Sequence, residues 1–264
     1  MASNERSSST DCGGAAEPRD TAMTGDERDG QGPAMTYYPM NVQLRGRLAV
    51  VVGGGEVALR KVKGLLAAEA RIRLVCPRLE GELLHLAEGG QVEWLPRLYA
   101  EGDLKGAFMA FAATNDRAVQ TVVQREAMCH GVLLNSADDP AGSDFHVPAH
   151  FRRGAMLITI STGGGSPALA KVVRERLEEE IGPGYGAVVD LMARIRQCLV
   201  DGSGDGAAEH GEIFRSLLHQ GLVDKVLAGD WFELQMLLLR ELPEQVDAVA
   251  VVRDFLDSND SPAE

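Results

Sequence analysis

Residues 53–58, Gly-Gly-Gly-Glu-Val-Ala, have the spacing G-x-G-x-x-A directly after four apolar residues, Ala49 to Val52. Glycine has no Cβ and accepts positive φ, so the backbone here is free to turn sharply and press against a bulky ligand. A polar-apolar pattern of helical period follows, and the amides that open such a helix favour an anion. Strand, glycine turn and helix together form the dinucleotide-binding fingerprint, in which Gly53, Gly55 and Ala58 hold a pyrophosphate against the helix. The alternative is a purely structural turn. The acid expected about 20 residues on, for a ribose hydroxyl, is missing: Cys76 and Pro77 stand there, followed by Arg78. Arg78 alone argues for a 2′-phosphate, but an arginine leaving a strand is ordinarily solvated, so these residues leave NAD and NADP both open.

Two further polar groups follow strands. In "AATND" (112–116), Thr114 and Asn115 are placed to touch the ribose or nicotinamide, while Asn115 or Asp116 also reads as a helix cap. In "NSADDPAGSDFHVPA" (135–149), Asn135, Asp138, Asp139 and Asp144 gather at one strand end. A lone acid in a loop is usually a turn residue; four polar groups are more than a turn requires. His146 and His150 have the i, i+4 spacing of metal ligands on a helix, but Pro148 between them argues against a helix. No permanent metal site is expected, and His130 reads as a cap or surface residue. Cys12, Cys76, Cys129 and Cys198 are scattered without a CxxC pair, so neither disulfides nor zinc are expected.

The elements that must position these groups alternate. Strands are expected at 48–52, 72–76, 92–95, 107–114 and 132–137, with helices at 56–68, 79–88 and 117–129. Interleaved strands and helices imply a doubly wound, mostly parallel sheet whose ligand lies beyond the carboxyl ends of the strands. After about residue 148 the rhythm changes. A strand at 155–162, a glycine turn at 163–165 and a helix capped by Ser166 with Pro167 in its first turn run to about Glu180. From Tyr185 three helical stretches follow, 187–200, 212–229 and 231–256, with "DGSGDGAAEHG" (201–211) as a flexible connection.

The chain has 264 residues and a net charge of −13. Residues 1–35 carry seven acids against three bases and residues 178–264 eighteen against six, which leaves 36–177 at +3. A mildly basic glycine-loop region inside an acidic protein suits a small polyanion better than nucleic acid. No apolar run approaches the roughly 18 residues of a membrane span. The N-terminus has no apolar core of a signal peptide, so a cytoplasmic location is expected. Residues 1–35 contain almost nothing large and apolar and read as a disordered tail.

"VVGGGEVALRK", "AATND", "LLNSADDPAGSDFHVPA" and "ITISTGGGSPALAKVVRERLE" stand in the order and spacing of the bifunctional precorrin-2 dehydrogenase and sirohydrochlorin ferrochelatase enzymes of sirohaem synthesis. The resemblance covers roughly 36–182. With no methyltransferase module following, the chain resembles the free-standing form. The resemblance implies an NAD-binding Rossmann domain (36–147), a mixed α/β dimerisation region (148–182) and a small all-helical domain (183–264), in a homodimer. It implies NAD as cofactor, bound by Gly53, Gly54, Gly55, Glu56, Val57, Ala58, Thr114 and Asn115. Precorrin-2 is then oxidised to sirohydrochlorin, which takes Fe²⁺ as substrate to give sirohaem. The family's essential carboxylate falls on Asp138, and Asn135, Ser161, Thr162, Gly163 and Gly164 fall at substrate-binding positions. Asp139 departs from the lysine or small residue that many relatives carry; it either raises a neighbouring carboxyl's pKa by like-charge repulsion or points to water. Two alternatives stand beside this reading: a dehydrogenase without chelatase activity, and an NAD-sensing regulatory module.

Overall fold

The computed structural model describes residues 37–79, 81–203 and 207–259; the expected N-terminal tail, 1–35, lies outside them. Two compact units result, one spanning Tyr38–Val147 and one beginning at Pro148.

The first unit is built on a five-stranded sheet. Its strands are β1 (Leu48–Val52), β2 (Arg71–Val75), β3 (Glu93–Leu95), β4 (Met109–Ala112) and β5 (Leu133–Ser136), in the order β3-β2-β1-β4-β5 with every pairing parallel. The helices α1 (Glu56–Leu66), α2 (Glu82–Glu88) and α3 (Arg117–His130) form the crossovers. Parallel strands buried on both faces need continuous apolar runs, which "LAVVV" and "MAFA" supply. Alternate residues then serve opposite layers. Ala49, Val51, Leu74 and Phe111 pack with Ala58, Val62 and Leu65 of α1, whereas Val50, Val52, Ala110 and Leu134 pack with Val123 and Ala127 of α3. The expected doubly wound architecture is the observed one. Strand order reverses between β1 and β4, and that reversal opens a crevice at the strands' carboxyl ends.

α2 begins three residues later than its sequence pattern suggests, because Gly81 sits at φ +54° and the helix starts after it. Between β3 and β4 there is no helix. That connection is held by two buried carboxylates: the half-exposed Arg97 clamps Asp103 with two hydrogen bonds of 2.5 and 2.7 Å, and Asp103 also accepts the Ala100 N–H. Glu126 of α3, 3% exposed, accepts the Gly102 and Leu104 N–H groups and the Tyr99 hydroxyl. Burial, then the Glu126 carboxylate beside it, push the Tyr99 hydroxyl far above its ordinary pKa, so it stays a donor.

The second unit opens with an antiparallel hairpin, β6 (Ala149–Arg153) and β7 (Met156–Ile160). β6 was not expected from the sequence; only Phe151 of its five residues is buried, so the segment lacks a strand's apolar signature. Helix α4 (Pro167–Glu180) has the expected cap, the Leu169 N–H donating to Ser166 Oγ at 3.2 Å. Its far end is closed by Arg153, which donates to the carbonyls of Ile181 and Glu178.

Five helices follow: α5 (Gly184–Ser203), α6 (Ala207–His219), α7 (Leu222–Ala228), α8 (Trp231–Glu241) and α9 (Ala248–Asn259). Leu191, Ile195, Leu199, Leu217, Leu222, Leu234, Leu238 and Phe255 form their core. Three expected stretches therefore become five helices. Gly221, at φ +80°, separates α6 from α7, and Pro243 with an Asp247 cap separates α8 from α9. The expected flexible connection at 201–211 is corrected at both ends, where 201–203 end α5 and 207–211 open α6, while 204–206 lie outside the described residues.

Replacing Glu126 with Ala strips partners from the buried Leu104 amide, the Gly102 amide and the Tyr99 hydroxyl. It should lower the unfolding free energy by about 3 kcal/mol, read from denaturant unfolding; an unchanged midpoint would show that the loop is held by something else.

Candidate functional site

The glycine turn leaves β1 with three different steric demands. Gly53 has φ +128°, and a Cβ there would overlap the carbonyl oxygen of Ala113, just beyond β4. A Cβ on Gly54 would come within 2.5 Å of the Arg78 carbonyl and 2.9 Å of Cys76 Sγ. Gly55 is the reverse case: its φ is ordinary at −92°, and a Cβ would meet nothing within 4 Å. Gly55 is the N-cap of α1 and supplies no side-chain hydrogen bond to the helix's first amides. These positions fit a pyrophosphate: two glycines seat the turn against the sheet, and the third keeps open the approach to those amides. Ala58 is fully buried and lets α1 lie close to the sheet, whereas Glu56 and Val57 are exposed at the helix start. Beyond β2, Cys76 is buried with its carbonyl accepting from Trp94, and Pro77 and Arg78 are exposed.

Beyond β4, the Thr114 hydroxyl oxygen accepts the Asp116 N–H at 3.2 Å, and Asp116 rather than Asn115 caps α3, accepting from Ala118 and Val119. Asn115 is thereby free of cap duty. It lines a polar cleft of about 530 Å³ with Arg117, Gln120, Gln124, Ser136, Asp138 and Asp139.

The polar cluster after β5 divides by role. Segment 143–145 folds back along β5 and covers the sheet edge: Asp144 Oδ2 accepts the Leu134 N–H, the Asp144 N–H donates to the Leu134 carbonyl, and Ser143 Oγ accepts the Ser136 N–H. Asn135 is buried and its side-chain amide donates to the Phe145 carbonyl, 2.9 Å away. Asp139 has a structural duty that the sequence did not suggest: its carboxylate accepts the Gly142 N–H and closes a tight turn. Asp138 alone among these acids has no backbone partner. It is exposed in the cleft, and Gln120 Nε2 donates to its Oδ2 at 3.2 Å. The same nitrogen donates to the Thr114 carbonyl at 2.6 Å, which ties the two loops together. Gln120 carries no motif, and nothing in the sequence singled it out.

Ser161 to Gly164 lie in the second unit, in the turn between β7 and α4. Ser161 Oγ accepts the Gly163 N–H, Thr162 Oγ1 accepts the Ser166 N–H, and Gly163 and Gly164 stand at φ +61° and +85°. His150 is in β6, with Nδ1 3.0 Å from the Pro148 carbonyl, so the two histidines share no helix. Among the described residues no three His, Cys, Asp or Glu side chains form a metal-binding group. No helix among them is long and apolar enough to cross a membrane.

The glycines give a contrast that calorimetry and unfolding can read. Gly53→Ala should destabilise the fold by more than about 2 kcal/mol, since the new carbon overlaps a backbone carbonyl. Gly55→Val should cost no more than about 1 kcal/mol, the preference for glycine over a β-branched residue at an N-cap, yet weaken NAD binding tenfold or more. Equal effects of the two on stability would contradict the assignment.

An NAD(P)-binding family model matches residues 40–149, and a model described as "Sirohaem biosynthesis protein central" matches residues 153–180. The sirohaem synthase of Pseudomonas paraeruginosa is 39% identical over 209 residues, 79% of this chain and 44% of the relative. That of Chromobacterium violaceum is 38% identical over 196 residues, 74% of this chain and 42% of the relative. The chain thus spans about half the length of the curated relatives it matches. A solved structure of SirC, precorrin-2 dehydrogenase, is 26% identical and superposes with a TM-score of 0.63, covering 84% of this chain and 98% of that one. Fold, glycine turn and relatives agree: the chain is similar to one half of the sirohaem synthases and to a precorrin-2 dehydrogenase over nearly that protein's whole length.

Proposed function

We propose that this protein oxidises precorrin-2 to sirohydrochlorin with NAD and then inserts Fe²⁺ to give sirohaem. The observation that carries the reading is Asp138, a carboxylate without structural duty, in a polar cleft tied by Gln120 to the strand end beside the glycine turn. Gly53, Gly54 and Gly55 with Glu56, Val57 and Ala58 hold the cofactor, and Thr114 and Asn115 flank its nicotinamide half. Bound NAD supplies the hydride acceptor.

Oxidation of the macrocycle gives up a hydride and a proton, and Asp138 takes the proton. Metal insertion releases two pyrrole N–H protons as Fe²⁺ enters, and the same carboxylate serves as acceptor once it has returned its first proton to water. The mildly basic 36–177 region suits a substrate bearing eight carboxylates. Asn135 acts indirectly, by bracing the loop that carries Asp138. Ser161, Thr162, Gly163 and Gly164 meet the substrate's carboxylates across a homodimer interface. That interface is formed by the region 148–182, between the NAD-binding domain and the helical domain. Leu169 and Val172 on α4, 54% and 44% exposed, support such a pairing.

A second reading, oxidation without metal insertion, is favoured by the solved relative that covers 98% of its own length here and is named for dehydrogenation alone. Anaerobic turnover of precorrin-2 with NAD⁺, followed by Fe²⁺ addition and read by absorbance, separates the two. Wild type should oxidise precorrin-2 and accelerate iron uptake, and Asp138→Ala should slow both steps by roughly 10²- to 10⁴-fold. Oxidation without accelerated iron uptake establishes the second reading; NAD binding with neither step points to a sensing module. Leu169→Glu combined with Val172→Glu should convert a dimer to a monomer in light scattering, and an unchanged mass would place the interface elsewhere.

A further inference from the structure

Gln120 lies in the first turn of α3, and its side-chain nitrogen faces two oxygens, the Thr114 carbonyl and Asp138 Oδ2. A primary amide nitrogen has two protons, and each finds an acceptor. The flipped amide would set its own oxygen against both, so the orientation is fixed by chemistry. From this arrangement we propose that Gln120 is the positioning residue of the Asp138 base, an inference that rests on reading Asp138 as the proton acceptor.

Two consequences follow from the geometry. Asp138 Oδ2 is engaged, so Oδ1 is the oxygen presented to the substrate. The anchor of the pair is also informative: Gln120 holds the carboxylate to the end of β4, beside the glycine turn, rather than to the carboxylate's own loop. The base is thereby set in register with the cofactor loop even though the 137–142 segment is an exposed turn. The neutral amide also leaves the carboxylate its negative charge, which an arginine at that place would offset. The charged neighbours in the cleft are Arg117 on α3 and Asp139 on the same loop; Asp139 is already spent on the Gly142 N–H. Gln120 is therefore the side chain that fixes where the acid points.

The test is a double-mutant cycle on precorrin-2 oxidation, with NAD affinity and melting temperature measured on every variant. Gln120→Leu removes the donor at similar size, and Gln120→Glu keeps the size but presents only acceptors. Each should lower kcat roughly ten- to a hundredfold, the scale of a misplacement of about 1 Å, with NAD affinity unchanged and melting temperature lowered by no more than the loss of one hydrogen bond, to the Thr114 carbonyl, accounts for. In the Asp138→Ala background the same Gln120→Leu change should cost nothing more, because the group it positions is gone. An equal factor in both backgrounds, or a loss that tracks weakened NAD binding or a melting temperature lowered beyond that, overturns the positioning role alone. Wild-type turnover by Asp138→Ala overturns the base reading and this inference together.

Discussion

The constraint on which this site depends is the contact between Gly53 and the Ala113 carbonyl. A turn that leaves one strand with φ +128° and lies directly on the end of its neighbour admits no side chain. That contact brings the start of α1 and the loop after β4 to one crevice. The strand order places the crevice where the crossovers reverse direction, between β1 and β4. The rest of the first unit serves to hold the two strand ends there. Valines and alanines fill both faces of the sheet, and the buried Glu126 and Asp103 replace the helix absent between β3 and β4.

The same economy explains the acidic cluster after β5. A sheet edge left open is an invitation to pair with another chain, and here Asp144 and Ser143 cover it, Asn135 braces the return, and Asp139 closes the turn. What remains is a single carboxylate with no backbone to serve. Its partner is the amide of Gln120, which reaches Oδ2 from the neighbouring helix, and this is the carboxylate to which we assign the proton chemistry.

Much of this was legible from residue order. Runs such as "LAVVV" and "MAFA" are long enough and apolar enough to read as buried strands. The glycine spacing placed the turn, and Ser166 before Pro167 placed a helix start to the residue. The failures have physical causes. β6 presents one buried side chain, so hydrophobic pattern does not reveal it. The long C-terminal runs keep helical periodicity across Gly221 and through Pro243, and only the left-handed glycine and the proline break them. The division of labour among four polar residues in 135–144 is tertiary information: an acid that caps an amide and an acid that faces solvent have the same sequence. Gln120 is the extreme case, one glutamine in a helix whose meaning lies wholly in the two oxygens it faces.

In the function we propose, Asp138 meets the tetrapyrrole on the cofactor's side of the sheet. The most direct measurement is a crystal structure of this protein with NAD and sirohydrochlorin bound. The Asp138 carboxylate should then lie within about 3 Å of a pyrrole nitrogen or the oxidised carbon, the reach a proton acceptor needs, with the pyrophosphate at Gly55. A macrocycle bound away from Asp138, with that carboxylate still turned to solvent, would contradict it.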